Sequence, residues 1–271
     1  TSHDATAYGT NLINKILVQS RFSFPKSLYA VHDTINFAVS NKPNALIVDF
    51  FAGSGTTLHA VNLLNAEDGG RRRCIMVTNN EVSADEAKML KDKGYQPGDA
   101  EWEKLGIAHY VTWPRTVCSI EGHDVNGNPL KGDYLGSEPL MHMADGFKAN
   151  AAFFKLSFLD STAVSLGMRF SEMLPTLWLK AGAKGKCPEL SSEQIPDMLI
   201  LPENKFAVLI NENAFASFAE KLAEHPEVQT VFLATDYEVN YQSMVKNLNV
   251  TEAYQLYRDY LDHFRLNRGR N

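Results

Sequence analysis

A chain of 271 residues, 44% of them hydrophobic, is long enough for one large or two modest domains with cores of their own. Its formal net charge of −6 argues against a general nucleic-acid binder, although a local basic patch stays compatible with that charge. The 3 cysteines form no Cys-x-x-Cys pair, so neither a disulfide framework nor a zinc site is indicated, and a reducing cytoplasm fits best. With no apolar run of about 18 residues and no signal-peptide pattern, we expect no membrane segment.

Apolar patterning in the first part of the chain predicts alternating helices and strands. Helices are expected over 27–40, 56–64 and 83–93, and strands over 45–50 and 74–78. Ser83 and Glu86 have the spacing of a capping box, and Pro114 fits the first turn of a short helix that ends near Ile120. Strands that alternate with helices through short connections indicate a parallel, doubly wound sheet.

The rest of the chain divides into an irregular segment and a second alternation. Residues 122–136 are rich in turn formers and predict a hairpin or loop excursion. Strands are then expected over 151–159, 198–201, 206–210, 228–235 and 253–257, with helical stretches up to Lys180 and over 213–224 and 239–248. We therefore expect a first α/β region over 1–121, the excursion over 122–150, and over 151–271 a second lobe or an extension of the first sheet.

The segment VDFFAGSGTTLHAV, residues 48–61, places a glycine turn between a predicted strand and a predicted helix. Such a turn presents free backbone N–H groups at the positive end of a helix. A phosphate-cradling loop needs a lysine after its second glycine, but Thr56 and Thr57 follow Gly55. A dinucleotide fingerprint needs a third glycine where Leu58 stands, which weakens that interpretation without excluding it.

Asp49, at the end of the predicted strand, bears on the choice of ligand. Its carboxylate would repel a pyrophosphate and favour an ammonium group. S-adenosylmethionine fits, because its methionine end carries an α-ammonium and a sulfonium charge. The carboxylate of S-adenosylmethionine can accept hydrogen bonds from the N–H groups of the turn and from the hydroxyls of Ser54, Thr56 or Thr57. An ordinary tight turn with an acidic helix cap is the alternative.

Several segments resemble those of a known family. DFFAGSGTT, residues 49–57, resembles the cofactor-binding motif of DNA amino-methyltransferases. FSFPKS, residues 22–27, resembles the F-x-(N/Y/F)-P-K-(P/S) segment that precedes this motif in the group with permuted motif order, and residues 7–13 resemble its entry. The tail 257–267 resembles that of type III modification subunits. The chain is thus similar to the C-terminal part of a permuted-order, beta-type DNA adenine-N6 methyltransferase related to those subunits.

The resemblance implies a Rossmann-like, doubly wound S-adenosylmethionine-dependent methyltransferase sheet with an additional C-terminal α/β region. The cofactor-binding residues that it implies are Phe24, Lys26, Ser27, Asp49, Phe51, Gly53, Ser54, Gly55, Thr56, Thr78 and Glu81. Thr78 stands where the family places an acid that binds the ribose hydroxyls. The acid arrives only at Glu81, which can equally be a first-turn acid of the next helix. No metal is implied.

The sequence lacks the catalytic motif of the family that it resembles. Methylation of an exocyclic amine needs a [D/N/S]-P-P-[Y/F/W] loop, and no Pro-Pro dipeptide occurs in the sequence. In the permuted group this loop and the target-recognition region precede the lysine-containing segment, so both would lie upstream of Thr1. We therefore expect no catalytic residue in this chain, no activity of the chain alone, and DNA contact through the N-terminal region that it lacks.

The expected activity is transfer of a methyl group from S-adenosylmethionine to adenine N6 of DNA within a restriction-modification system, with cytosine N4 as the nearest variant. One rival hypothesis is a non-catalytic interaction module in which residues 140–271 dock a restriction, helicase or translocase subunit. Another is nicotinamide-dinucleotide binding. A homodimer is a further expected form of association.

Smaller features favour structural roles. The run Arg71–Arg73 and the lysines Lys180, Lys184 and Lys186 favour solvated surfaces over phosphate contacts. Phe50 alternates to the opposite face from Asp49 and is expected in the core.

Overall fold

The computed structural model describes residues 1–19, 22–156, 169–190 and 195–256. The chain forms two compact units, Thr1–Phe153 and Phe154–Asn271, and the described residues of each unit contain one β-sheet. Both units combine helices with strands, so the predicted mixed α/β class is confirmed. In the described ranges, no helix is both long and apolar enough to cross a membrane.

Two parallel strands form the sheet of the first unit. β1 (Leu46–Asp49) pairs with β2 (Arg73–Met76), and Asp49 lies opposite Met76. The helices of this unit are α1 (Asn11–Leu17), α2 (Leu28–Val39), α3 (Thr56–Asp68), α4 (Ala84–Asp92), α5 (Ala100–Glu103) and α6 (Trp113–Glu121). The helix α3 is the crossover that a parallel pair of strands requires. The strands and helices predicted for this part of the chain are confirmed, with ends shifted by a few residues.

Local sequence signals fix the starts of these helices. Ser27 Oγ accepts a hydrogen bond from Ala30 N at 3.4 Å at the start of α2. Ser83 Oγ accepts one from Glu86 N, also at 3.4 Å, at the start of α4. Pro114 lies in the first turn of α6, where its missing N–H costs no helical hydrogen bond. The predicted cap at Ser83 and the predicted position of Pro114 are confirmed.

The core of the first unit lies between α1, α2, α3 and α6. Ile16, Leu28 and Leu63 from these helices are fully buried. The segment after α6, predicted as a hairpin or loop excursion, has irregular structure with isolated bridges between His123 and Pro129 and between Asp133 and His142. It also adds apolar side chains to the same core, which are Leu130, Tyr134, Met143 and Phe147.

Arg72 corrects the expectation that the run Arg71–Arg73 is a solvated strand entry. Its side chain is buried, and its Nη1 and Nη2 atoms donate to the Asp68 carboxylate at 2.9 and 2.8 Å. Its Nη2 also donates to the carbonyl oxygen of Val39 at 3.0 Å. Arg72 therefore joins the ends of α2 and α3, because a buried guanidinium needs partners for its N–H groups. Arg71 and Arg73 are exposed.

One face of the β1–β2 sheet carries exposed apolar side chains. Leu46, Val48 and Phe50 on β1 and its extension are 48%, 47% and 66% exposed, and Ile75 and Val77 are 50% and 42% exposed. The prediction that Phe50 lies in the core is wrong, because Phe50 is 66% exposed and shares a face with Leu46 and Val48, which are about half exposed. Parallel sheets are normally covered on both faces.

The second unit has a sheet in the order β3-β4-β5-β6. β3 (Met198–Leu201) runs antiparallel to β4 (Phe206–Leu209), and β4, β5 (Thr230–Ala234) and β6 (Glu252–Leu256) run parallel. The helix α7 (Phe170–Lys180) packs on one face, and α8 (Phe215–Ala223) and α9 (Glu238–Lys246) pack on the other. Because helices cover both faces, every residue of β4 and β5 is buried. The strands and helices predicted between 198 and 256 are confirmed.

The strand predicted over 151–159 is wrong for residues 151–156, which have no regular structure. The ring of Phe153 packs instead against those of His109 and Trp113, with centroid distances of 4.7 and 5.6 Å. An apolar run can therefore serve side-chain packing without pairing as a strand. Outside the described residues lie 157–159, the part of the predicted helical stretches that precedes Arg169, and the tail 257–267.

Candidate cofactor site

The glycine turn follows β1 and is fastened to the neighbouring strand. Val77 N donates to the carbonyl oxygen of Asp49 at 2.7 Å, and Ala52 N donates to that of Val77 at 3.2 Å. Gly55 N closes the turn on the carbonyl oxygen of Ala52 at 2.8 Å. Gly53 and Gly55 have φ of 50° and 76°, a region that other residues rarely adopt. The turn therefore places the start of α3 at the carboxyl ends of the two parallel strands.

The carboxylate of Asp49 stabilises this turn. It accepts hydrogen bonds from Thr57 Oγ1 at 2.6 Å and from Phe51 N at 3.0 Å. The cap residue of α3 is Gly55, so Asp49 does not cap the helix. A carboxylate offers about four acceptor positions, so Asp49 can accept further hydrogen bonds in addition to these two.

Arg115 lies beneath the turn and was not identified from the sequence. This residue of α6 is 0% exposed, and its Nη1 donates to Thr56 Oγ1 at 2.8 Å and to Ser54 Oγ at 3.1 Å. The two hydroxyl oxygens lie 3.1 Å apart. The available signal was periodicity, since Arg115 stands four residues after buried Val111 and three before buried Cys118. Burial lowers the pKa of Arg115 to about 10, so it stays charged at neutral pH.

His59 and Tyr134 continue the buried polar cluster from Arg115. His59 Nε2 lies 2.9 Å from the Tyr134 hydroxyl, and His59 is buried. Burial, together with the charge of Arg115, holds the pKa of His59 well below its ordinary value, so the imidazole is neutral near pH 7. Burial raises the pKa of Tyr134. Arg115 is therefore the charged member of the cluster.

The segments that resemble the methyltransferase motifs lie close together. A Cβ atom placed on Gly53 would lie 3.5 Å from the ring of Phe22, so the first residue of the FSFPKS segment lies beside the glycine turn. A Cβ atom on Gly9 would lie 2.5 Å from the carbonyl oxygen of Pro25, so the AYGTNLI segment packs against FSFPKS. Thr112 Oγ1 donates to the carbonyl oxygen of Gly53 at 2.5 Å and holds the turn against α6.

The other predicted site residues differ in their surroundings. Phe24 and Phe51 are 90% and 91% exposed, and Lys26 is also exposed. Ser27 is buried, and its hydroxyl donates to the carbonyl oxygen of Ser2 at 3.1 Å in addition to capping α2. The aromatic rings and the lysine are thus free to contact a ligand, whereas the contacts of Ser27 hold the chain in place.

Thr78 and Glu81 follow β2, on the strand next to Asp49. Thr78 is half-buried, and its hydroxyl donates to the carbonyl oxygen of Asn79 at 3.2 Å. Glu81 is exposed and accepts from Asn79 Nδ2 at 3.3 Å. The neighbouring Asn80 is occupied with the backbone, since its Nδ2 donates to the carbonyl oxygen of Glu103 at 2.8 Å. In the described part of the chain, no group of three or more His, Cys, Asp or Glu side chains is placed to hold a metal ion.

Known proteins with similar sequences include a type II methyltransferase and Mod subunits of type III restriction-modification enzymes. No protein-family model matches the chain. The type II methyltransferase M.KpnI of Klebsiella pneumoniae is 48% identical over 75 residues, which are 28% of this chain and 18% of that protein. The Mod subunits of the type III restriction-modification enzymes EcoPI, of Escherichia phage P1, and StyLTI, of Salmonella typhimurium, are 36% and 38% identical over 78 residues, which are 29% of this chain and 12% of each subunit.

These similarities confirm the resemblance inferred from the motifs. The chain has homologues among type II methyltransferases and type III Mod subunits. The matched part spans only 12% to 18% of the length of these relatives, less than a fifth.

Proposed function

We propose that this chain is the S-adenosylmethionine-binding C-terminal part of a site-specific DNA methyltransferase that acts on adenine N6 in a restriction-modification system. One observation carries the proposal, which is that the acidic glycine turn lies beside the FSFPKS segment. Asp49 supplies a fixed negative charge at the end of β1, and the first N–H groups of α3 supply donors beside it. This arrangement matches an amino-acid ligand better than a pyrophosphate.

The residues around the turn suit the different parts of this cofactor. We assign the α-ammonium to Asp49 and the carboxylate to the start of α3, near Ser54 and Thr56. The exposed rings of Phe24 and Phe51 offer apolar surface, and the stem of Lys26 can lie along it. Thr78 and Glu81 remain the proposed partners of the ribose hydroxyls. When bound, S-adenosylmethionine supplies the activated methyl group that the exocyclic amine of the base receives.

We further propose that a polypeptide outside this chain supplies the Pro-Pro-aromatic loop and contacts DNA. No Pro-Pro dipeptide occurs in the 271 residues. The uncovered apolar face of β1 and β2 supports this proposal, because a parallel sheet of the doubly wound type has further strands and helices beside it. A restriction subunit is a proposed partner by analogy with the type III relatives, and a homodimer is a further proposed association.

A charge-removing substitution tests the cofactor proposal. Asp49→Asn keeps an acceptor for Phe51 N and a polar partner for Thr57, but it removes the charge proposed to bind the α-ammonium. We expect S-adenosylmethionine to bind at least about tenfold more weakly, since a charge-assisted hydrogen bond contributes about 1.5–3 kcal/mol. Isothermal titration calorimetry measures this affinity.

The matched control for Asp49→Asn is Asp236→Asn, a change of the same chemistry at an exposed residue of the second unit. It should leave the affinity unchanged. Equal affinities of the wild type and Asp49→Asn, or a folded wild-type chain that binds no S-adenosylmethionine, would refute the proposal.

A further inference from the structure

The buried cluster beneath the glycine turn contains more hydrogen-bond donors than acceptors. The guanidinium of Arg115 uses Nη1 for Ser54 and Thr56, whereas its Nε and Nη2 atoms have no partner among the described residues. One hydroxyl hydrogen joins Ser54 to Thr56, so the second hydroxyl hydrogen also lacks an acceptor in the described part of the chain. The first N–H groups of α3, a helix of 13 residues, add further donors at the same place.

The charge of Arg115 is not balanced within the part of the chain that the structure describes. Arg72, which is also buried, forms an ion pair with Asp68 at 2.8 Å, but no carboxylate in the described ranges pairs with Arg115. A buried cation without a counter-ion is costly, and the positive end of α3 adds to that cost. An anion above the turn would offset both effects.

Adjacent threonines connect the turn to groups of opposite charge. Thr56 accepts from the guanidinium of Arg115 at 2.8 Å, and Thr57 donates to the carboxylate of Asp49 at 2.6 Å. The turn thus has a negative side at the end of β1 and a positive side beneath the start of α3. This polarity fits a ligand that carries an ammonium group and a carboxylate on one carbon atom.

We infer that Arg115 is a positioning residue that selects the carboxylate of an α-amino-acid ligand through Ser54 and Thr56. The inference rests on the proposed function, under which this carboxylate belongs to S-adenosylmethionine. Arg115 is fully buried, so it acts through the two hydroxyls and through its charge rather than by touching the ligand. Both hydroxyls accept from Arg115 and one donates to the other, so one hydroxyl hydrogen is left to donate to the ligand.

Two probes that differ only in the carboxylate test this inference. S-adenosylmethionine and decarboxylated S-adenosylmethionine share the ammonium and sulfonium charges. We expect the wild-type chain to prefer S-adenosylmethionine by about tenfold, equivalent to about 1.4 kcal/mol. The variant Arg115→Met should lose most of that preference, whereas Arg115→Lys should retain part of it because it keeps the charge. Calorimetric titration of each folded variant gives both dissociation constants, and their ratio is the readout.

The control is Arg72→Met, which removes a buried arginine that does not contact the turn and should leave the ratio unchanged. Equal loss of affinity for both probes in Arg115→Met would show a merely structural role and overturn the inference. A wild-type chain that binds both probes equally would overturn it without any variant and would leave the cofactor proposal intact. A wild-type chain that binds neither probe would overturn both.

Discussion

At the scale of single residues, the glycine turn depends on conformations that only particular side chains allow. Gly55 has a φ of 76°, and a Cβ atom there would lie 3.2 Å from Thr112 Cγ2. Gly69, at the other end of α3, has a similar φ of 72° but no atom within 4 Å of such a Cβ. Comparing substitutions at the two glycines therefore separates the energetic cost of the backbone conformation from the cost of the contact with Thr112.

We expect Gly55→Ala to lower the free energy of unfolding by about 1.5–3 kcal/mol, and Gly69→Ala by only about 1 kcal/mol. The larger loss at Gly55 comes from the forced contact with Thr112, which adds to the same left-handed backbone cost. Urea denaturation of the two variants measures both values. Equal losses of unfolding free energy would contradict this prediction and would show that Thr112 shifts to accommodate the added methyl group.

Sequence reasoning located the residues of the turn but not the residue beneath it. The motif around Gly53 and Gly55 is contiguous, so its backbone role follows from local chemistry. Arg115 reaches Ser54 and Thr56 from 61 and 59 positions along the chain, and only the packing of α6 reveals that contact. The available signal was the position of this charged residue on a buried helical face.

At the scale of elements, α2 and α3 are joined by a titratable pair. His32 Nε2 lies 2.8 Å from the Glu67 carboxylate, and His32 Nδ1 lies 2.9 Å from that of Asp33. The hydrogen bond to Glu67 raises the pKa of His32 more than burial lowers it. The stabilisation is therefore complete below the unfolded pKa of about 6.5 and is lost as pH rises through the higher folded value.

We expect His32→Gln to destabilise the first unit more at pH 5.5 than at pH 8.5, because only the protonated imidazole has an N–H donor for each of the two carboxylates and a charge that attracts them. Thermal unfolding of the wild type and the variant at both pH values measures this difference. Taking the difference between the two proteins removes the opposite contribution of His59, whose lowered pKa costs stability as pH falls. A difference that stays constant with pH would contradict the assignment.

Element predictions succeeded where the local signal and the tertiary packing agree. Ser83 and Pro114 mark helix starts through their own backbone chemistry, so α4 and α6 appear where predicted. The exposure of Phe50 could not be predicted, because it depends on what lies beside the sheet rather than on the strand itself. The run 151–156 was misjudged because apolar content alone does not separate a strand from a packed irregular segment.

At the scale of the whole molecule, the two units differ in how completely they cover their sheets. The second unit has helices on both faces, and β4 and β5 are buried throughout. The first unit leaves five apolar residues of one face between 42% and 66% exposed. This difference supports the proposal that the cofactor part works together with a polypeptide that carries the catalytic loop.

We expect the purified chain to transfer no methyl group to DNA, because it contains no Pro-Pro-aromatic loop to hold the target amine. Incubation with DNA and S-adenosylmethionine carrying a labelled methyl group measures the transfer, with an active DNA methyltransferase as the positive control. Incorporation above background by the chain alone would refute the proposal that a polypeptide outside this chain supplies the catalytic loop.

The most direct test of the central proposal is calorimetric titration of the folded wild-type chain with S-adenosylmethionine and, separately, with a nicotinamide dinucleotide. The charges around Asp49 and the start of α3 predict that one molecule of S-adenosylmethionine binds per chain and that the dinucleotide does not bind. Binding of the dinucleotide instead, or of neither ligand, would contradict the proposed function.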